Sequence, residues 1–258
     1  MQIDLGPELV AERHQRLIAV LSEHRKIATN AAADELGVSV DTIRRDLRIL
    51  HDRGLLRRVH GGAVPLSPLS PSYSGRTSDD SRERTKLADG LVQRFRSGQV
   101  IGLDAGTTTT EIAARLPVTL EITIVTNNPA AATALADHPT AQVILIGGEV
   151  DLRWMATTGP TAVDAIRRHH LDLAIVGACS FDPTAGATTR SHHEVATKQA
   201  LLAAATQTVI PLESSKLGTI APFHIAAAHD VEITVVEDST DPKIISAWRS
   251  AGIDITTI

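Results

Sequence analysis

From residue 99 onward the chain alternates short apolar runs with longer amphipathic stretches, and this alternation limits what it can become. "QVIGLD", "ITIVT", "QVILIGG", "LDLAIVGA", "QTVIPL" and "EITVVED" read as strands, most of them near-continuously apolar at their centres. A strand that is apolar on both sides needs cover on both faces. The segments between them, "TTTTEIAARL", "PAAATALAD", "PTAVDAIRRHH", "SHHEVATKQALLAAA" and "PKIISAWRSAG", carry helical spacing, and "IDITTI" offers a last strand. Strands separated by helices predict an α/β domain, residues 82–258, with a mainly parallel sheet between helical layers. The core material suits that plan. Hydrophobic residues make up 43% of the chain and aromatics only 2%, so packing rests on Ala, Val, Ile and Leu.

The N-terminal quarter reads differently. Glu8 to about Arg25 is a helix with Leu17, Ile18 and Leu21 on one side. Thr29 is placed to cap a short second helix through Leu36, and Gly37 allows the left-handed turn that ends it. Ser39 caps a third helix, about 39–53, which Gly54 stops. "LLRRVHGGAV" alternates as a strand does, with Gly61-Gly62 as its turn, giving a wing at about 55–64. Three helices with a tight glycine turn, followed by a small hairpin, predict a winged helix-turn-helix over residues 8–64. "PLSPLSPSYSGRTSDDS", residues 65–81, places Pro65, Pro68 and Pro71 among serines. That composition predicts an extended linker and a domain boundary.

Charge separates the two regions further. The net charge is −5, yet residues 37–62 hold six Arg against three Asp, with His51 and His60, while residues 63–258 hold fifteen Lys and Arg against twenty-one Asp and Glu. A basic patch on an otherwise acidic chain suits a phosphate backbone, whose counterions are released on contact. Arginines on a helix also serve as a plain solvated face, and three-helix units also make protein contacts. Turn, cap, basic face and wing occurring together favour double-stranded DNA. In that docking the start of the third helix, Ser39, Asp41, Thr42 and Arg45, reaches base edges, and Arg44 and Arg48 flank toward phosphates. Arg57, Arg58 and His60 on the wing reach backbone or minor groove.

Cys179 is the one cysteine, so no internal disulfide forms. No basic leader precedes an apolar run, and no stretch approaches the ~18 apolar residues of a membrane span. These features predict a cytoplasmic protein without membrane contacts. His169-His170 and His192-His193 are adjacent pairs, which diverge on a helix and lack metal-site spacing. No metal and no cofactor are expected.

"LGVSVDTIRRDLRILHDRGLLRRVHGGAV", residues 36–64, resembles the signature of DeoR-type bacterial transcriptional regulators, with their "TIRRDL" helix and "GLL.R.HGGA" wing. The resemblance extends over about residues 8–258. It implies that the larger domain is similar to sugar-phosphate isomerases and CoA transferases and binds a phosphorylated sugar or related metabolite. The expected function is a sequence-specific repressor of carbohydrate-metabolism genes acting on a DNA operator. One head makes too few contacts for operator-level affinity, so a homo-oligomer, dimer or higher, is expected.

The residues themselves suggest where such an effector sits. "IGLDAGTTTTEIAARL" puts a strand end, an Asp, a Gly and four threonines at a helix start. Unpaired N–H groups there attract anions. The hydroxyls of Thr107, Thr108 and Thr109 add donors, and Asp104 can accept from sugar hydroxyls. An ordinary Thr-capped helix has the same spacing. Glu194 and Lys198, one turn apart, can simply pair with each other. The resemblance implies that Asp104, Gly106, Thr107, Thr108, Thr109, Asn127, Asn128, Gly148, Lys198 and Lys216 line the pocket. Leu217 replaces a common Phe, Glu213 a common Asp, and "TTRSHHEVATKQ" departs from the usual approach to the lysine.

The rival reading is an isomerase-like enzyme with a DNA-binding appendage. Proton transfer between carbons needs a carboxylate base within hydrogen-bond reach. Where those isomerases carry an acidic "DGADE" segment, this chain has "VGACS", residues 176–180. Cys179 and Ser180 then stand in the places of the catalytic acids, with Asp104 and Asp182 the remaining nearby carboxylates. No catalytic residue is assigned.

Overall fold

The structure, a computed structural model, describes residues 8–24, 27–52, 56–59, 61–64, 73–77 and 81–258. Its contacts divide the chain into two units, Met1–Ser70 and Pro71–Ile258.

The first unit contains α1 (Glu8–His24), β1 (Ile27–Ala28), α2 (Thr29–Leu36), α3 (Val40–Asp52), β2 (Arg57–Val59) and β3 (Gly62–Val64). Its core gathers Leu17 and Leu21 of α1, Ala32 and Ala33 of α2, and Ile43, Leu47 and Leu50 of α3 beneath Leu56 and Ala63. Gly37 takes φ 63°, a left-handed conformation that side chains resist, and so turns α2 into α3. Ser39 Oγ accepts from the Thr42 N–H at 3.1 Å and caps α3 as expected. Thr29 does not cap α2. Ala28 holds that position, and the Thr29 N–H donates to the Gly61 carbonyl at 2.9 Å.

This bond belongs to a feature the sequence reading lacks. The wing has three strands, in the order β1-β3-β2, with Ile27 opposite Ala63 and Ala28 opposite Gly62. A Cβ on Gly62 would lie 1.8 Å from the Ile27 carbonyl oxygen, so only glycine permits this approach. The expected stop of the third helix at Gly54 lies outside the described residues.

The second unit opens with α4 (Tyr73–Thr77) and α5 (Arg82–Val92). There follow β4 (Val100–Leu103), α6 (Thr107–Ala114), β5 (Thr123–Thr126), α7 (Pro129–Ala134), β6 (Gln142–Leu145), the hairpin β7 (Glu149–Asp151) and β8 (Ala156–Thr158), and α8 (Pro160–Ile166). The remainder is β9 (Leu171–Ile175), β10 (Ser180–Asp182), β11 (Gly186–Thr189), α9 (His192–Ala204), β12 (Ala205–Leu212), β13 (Phe223–Ala226), β14 (Ile233–Val236), α10 (Pro242–Ser250) and β15 (Ile255–Thr257).

Seven strands form one sheet in the order β15-β14-β12-β9-β4-β5-β6, every neighbouring pair parallel. Leu87, Leu91, Ile112 and Leu135 of the α5–α7 region cover one face, against Ile101, Leu103, Ile124 and Ile175. Val163, Ile166 and Leu201 of α8 and α9 cover the other, against Val125, Ala174 and Val176. The doubly covered parallel sheet predicted from the apolar runs is therefore present. From β4 the chain winds through β5 and β6 in one direction, and from β9 onward in the other. The reversal falls between β4 and β9. In sheets of this kind a crevice opens there, beyond the strands' carboxyl ends.

Four features depart from the sequence reading. Residues 73–77, predicted to be extended linker, form helix α4 instead, and the Tyr73 N–H donates to the Arg153 carbonyl of the second unit at 2.8 Å. Residues 82–92, left unassigned, form α5. Its signals were a Ser81 cap, whose Oγ accepts from the Arg84 N–H at 3.1 Å, and the Leu87/Leu91 spacing. The β7–β8 hairpin and the antiparallel sheet β10-β11-β13 were also unforeseen. Their buried strands "ATT" and "GATT" use small and hydroxylic residues, which leave no hydrophobic periodicity to read.

Candidate functional site

On α3 the buried stripe is Ile43, Asp46, Leu47 and Leu50, and the opposite side exposes Asp41, Arg44, Arg45 and Arg48. The cap occupies the Ser39 and Thr42 hydroxyls, which lie 2.8 Å apart. Asp41 accepts from Arg44 Nη1 at 2.9 Å in an exposed pair, worth little to stability. Arg45 and Arg48 are thus presented outward beside it. Arg58 is exposed on β2. The side chain of Arg57 and all of His60 lie outside the described residues. A cavity of about 430 Å³ between α3 and the wing is lined by Thr29, Asn30, Arg44, Leu47, Arg58 and Gly61. Two exposed guanidinium groups on its rim make it a concave cationic surface.

Asp46 is a residue that sequence reasoning missed. It sits within the apolar stripe, 3% exposed, and accepts from Arg13 Nε at 2.5 Å and Nη2 at 3.2 Å, with His14 Nε2 at 3.1 Å. Burial pushes its carboxyl pKa up, but the Arg13 and His14 contacts outweigh burial and hold it below the usual carboxylate range. The pair fixes α1 against the back of the helix that carries the exposed arginines.

In the second unit, the crevice between β4 and β9 brings together several predicted residues. Asp104, just past β4, is 1% exposed. Its Oδ2 accepts from the Gly177 N–H at 3.0 Å and from Lys198 Nζ. Lys198 also donates to the Gly177 carbonyl at 3.0 Å and lies 3.6 Å from Glu194 Oε1. Burial opposes the Lys198 charge, but the Asp104 and Glu194 carboxylates prevail and raise its pKa above the ordinary lysine value. Burial raises the pKa of Glu194, against the pull of Lys198. Lys198 is therefore tied first to Asp104, not only to its helix neighbour.

The threonine-rich turn stands beside this ion pair. Gly106 caps α6, and its carbonyl accepts from Thr109 Oγ1 at 3.0 Å and Thr110 Oγ1 at 2.8 Å. Thr107 is half-buried and Thr108 buried. Asn128 caps α7 through its Oδ1 and donates Nδ2 to the Gly106 carbonyl and Thr110 Oγ1. Its side chain thus holds the two turns together. Asn127 Nδ2 donates to the Thr157 carbonyl at 3.2 Å. Two acceptors at this crevice, Asp104 Oδ1 and Asn127 Oδ1, are buried without a partner. Such atoms are uncommon in folded proteins.

Gly148 packs against Thr158 and Ala162 of β8 and α8. Lys216 donates to Glu213 Oε1 at 3.0 Å, and Glu213 Oε2 accepts from Ser81 at 3.1 Å. No described contact joins Lys216 to the Asp104 cluster. Asp182 turns inward on its own loop, where Oδ1 accepts from the Thr184 and Ala185 N–H groups. A second cavity, about 510 Å³, is lined by Pro242, Ile245, Arg249 and Thr257 and includes none of these residues.

Four further residues escaped the sequence reading. Trp154, in the β7–β8 turn, is buried with Ala105, Ala156 and Cys179 at the edge of the crevice. The Arg76 guanidinium carbon lies 4.7 Å from the Trp154 ring centroid, and that of Arg153 lies 5.8 Å away. The Tyr73 hydroxyl donates to Thr110 Oγ1 at 2.9 Å. Burial lowers the Arg76 pKa, with the Glu194 carboxylate opposing that effect. Tyr73 and Arg76 fell in the segment that composition marks as linker, which concealed them.

A family model described as the DeoR C terminal sensor domain matches residues 79–239, and one described as the DeoR-like helix-turn-helix domain matches residues 13–68. The HTH-type transcriptional regulator GlpR of Haloferax volcanii is 33% identical over 249 residues, covering 96% of this chain and 97% of that protein. The glycerol-3-phosphate regulon repressor of Escherichia coli is 28% identical over 232 residues, covering 90% of this chain and 92% of its own. Among solved structures, ribose 5-phosphate isomerase A from Methanocaldococcus jannaschii aligns with a TM-score of 0.39 and 16% identity, over 52% of this chain and 53% of that one. That likeness is too slight to carry an argument about the reaction or the site.

Proposed function

The chain belongs to the DeoR family of DNA-binding transcriptional regulators, and from that premise we propose that it is a repressor released or engaged by a phosphorylated sugar or polyol. The exposed arginine face of the capped α3 carries the DNA half of the proposal. Arg45 reads a base edge, Arg44 and Arg48 grip phosphates, and Arg58 on the wing adds a backbone contact. Arg45→Ala is expected to cost about 1–3 kcal/mol on the preferred sequence and little on random DNA. Arg48→Ala weakens binding to both and flattens the salt dependence by about one unit. Titrations of operator and random duplexes at several salt concentrations separate the two. Equal losses on both DNAs for both variants would refute these roles.

The effector half rests on the crevice at the β4–β9 reversal. There the start of α6 supplies N–H groups and Thr107 and Thr108 for a phosphate, while Asp104 and Asn127 hold unpartnered acceptors for hydroxyls. The named relatives favour this class of ligand, since one is a glycerol-3-phosphate regulon repressor. A ligand that binds the folded domain raises its melting temperature, by about 2.7 kcal/mol of stability at a hundredfold excess over Kd. A thermal-shift series on the full chain with sn-glycerol 3-phosphate, fructose 1-phosphate and ribose 5-phosphate, each beside its unphosphorylated parent, tests this. No shift from any phosphorylated member removes the reading.

A catalytic reading has less support. The Asp104 carboxylate is engaged by Lys198 and the Gly177 N–H, and Asp182 caps its own turn. We read the domain as a sensor whose occupancy alters a dimeric or larger assembly on the operator. Such an effect requires a ligand that prefers one arrangement of that assembly.

A further inference from the structure

Helix α4 is placed where a connector between a DNA-binding head and a sensor would have most influence. Its first residue, Tyr73, follows Val64, the last residue of the wing, by nine positions. Several contacts of Tyr73 and Arg76 lie within the second unit and lead toward the crevice. The Tyr73 hydroxyl bonds Thr110 on α6, the helix whose start is offered to the phosphate. The Tyr73 N–H bonds Arg153, and Arg84 of α5 donates Nη1 to the Arg76 carbonyl at 3.2 Å. The Arg76 guanidinium lies over the Trp154 ring, and Trp154 packs against Ala105, the residue next to Asp104.

The charges point the same way. Arg76 and Arg153 both lie beside Trp154, Arg76 feels the Glu194 carboxylate, and Lys198 pairs with Asp104 and Glu194. A guanidinium held over an aromatic ring loses orientational freedom, and its forked donors match a phosphate or carboxylate. The buried, partnerless Asp104 Oδ1 and Asn127 Oδ1 mark the same crevice as a place for a ligand.

We propose that α4 is a strap belonging to the effector site, with Arg76 contacting the anionic group of the ligand and Tyr73 closing over α6, so that ligand binding and strap docking are one equilibrium. This rests on the reading of the crevice as the effector site. An occupied site holds the strap down. An empty site lets it lift, which adds its five residues, about 17 Å when extended, to the chain separating the head from the sensor. A bound ligand would then act on DNA through the length of that tether, and the sheet beneath need not deform.

The test uses the full chain and the compound from the thermal-shift series that stabilises it most, with inorganic phosphate as a second probe. Saturating compound should slow amide hydrogen exchange across Tyr73–Thr77 at least about tenfold in the wild type. Arg76→Gln should bind the compound about tenfold more weakly and lose that protection. Tyr73→Phe, which deletes one hydroxyl, should keep most of the affinity and lose part of the protection. Wild-type affinity in Arg76→Gln, or exchange in the strap that ignores the compound, overturns the strap while leaving the crevice as effector site. No binding of any phosphorylated compound to the wild type overturns both. Should Arg76→Gln fail to fold, Tyr73→Phe decides through the exchange readout alone.

Discussion

Lys198→Met is expected to lower the melting temperature of the sensor domain by roughly ten degrees or more, from a loss of about 3–5 kcal/mol. Methionine fills most of the space, so packing is nearly conserved and electrostatics dominate. The lysine is 3% exposed and lies among Asp104, Glu194 and the Gly177 carbonyl. Its removal leaves two carboxylates in a site that water hardly reaches. One of them must take up a proton or open the crevice to solvent. Asp104→Asn in the same chain removes the nearer charge, so the double variant should melt above Lys198→Met alone. Melting of Lys198→Met within a degree or two of the wild type would show that the crevice is wetter than its burial indicates.

The second large effect lies in the head. Asp46→Ala should lower the temperature at which the full chain releases duplex DNA by roughly ten degrees, from a loss of about 2 kcal/mol. The substitution strips Arg13 and His14 of their shared acceptor and leaves a gap in the α1–α3 interface. A unit this small has a stability of only a few kcal/mol, so that fraction matters. Acid should imitate the substitution. Because the folded-state pKa of Asp46 is depressed, its contribution is complete above the ordinary carboxylate pKa, near 4. It is lost as pH falls through the lower folded-state value. The wild type should therefore lose thermal resistance of DNA binding below about pH 4 more steeply than Asp46→Ala. Parallel pH profiles for the two proteins would dismiss the ion pair as the cause.

How much of this was legible in the residues depended on how local each signal was. Gly37 and Ser39 announce the turn and cap of α3 within a few positions, and the structure keeps both. The parallel sheet was readable because most of its strands centre on short apolar runs bounded by turns. Asp46 was hidden because its partner stands 33 positions earlier, on another helix. The two-residue strand β1 was hidden because only its partner across the wing defines it. Tyr73 and Arg76 were masked by the prolines and serines around them. Asp104 and Lys198 were each singled out, but as separate lining residues. Their pairing across 94 positions follows from the reversal of strand order, which no short motif records.

The two partnerless acceptors in the crevice, Asp104 Oδ1 and Asn127 Oδ1, have a consequence beyond recognition. A ligand hydroxyl that donates to either atom favours the folded chain over the opened one. Proteases act on transiently opened chains, and their yield follows how often opening occurs. A metabolite whose hydroxyls satisfy both atoms would slow turnover, and the cell's stock of the regulator would then rise and fall with the compound it monitors.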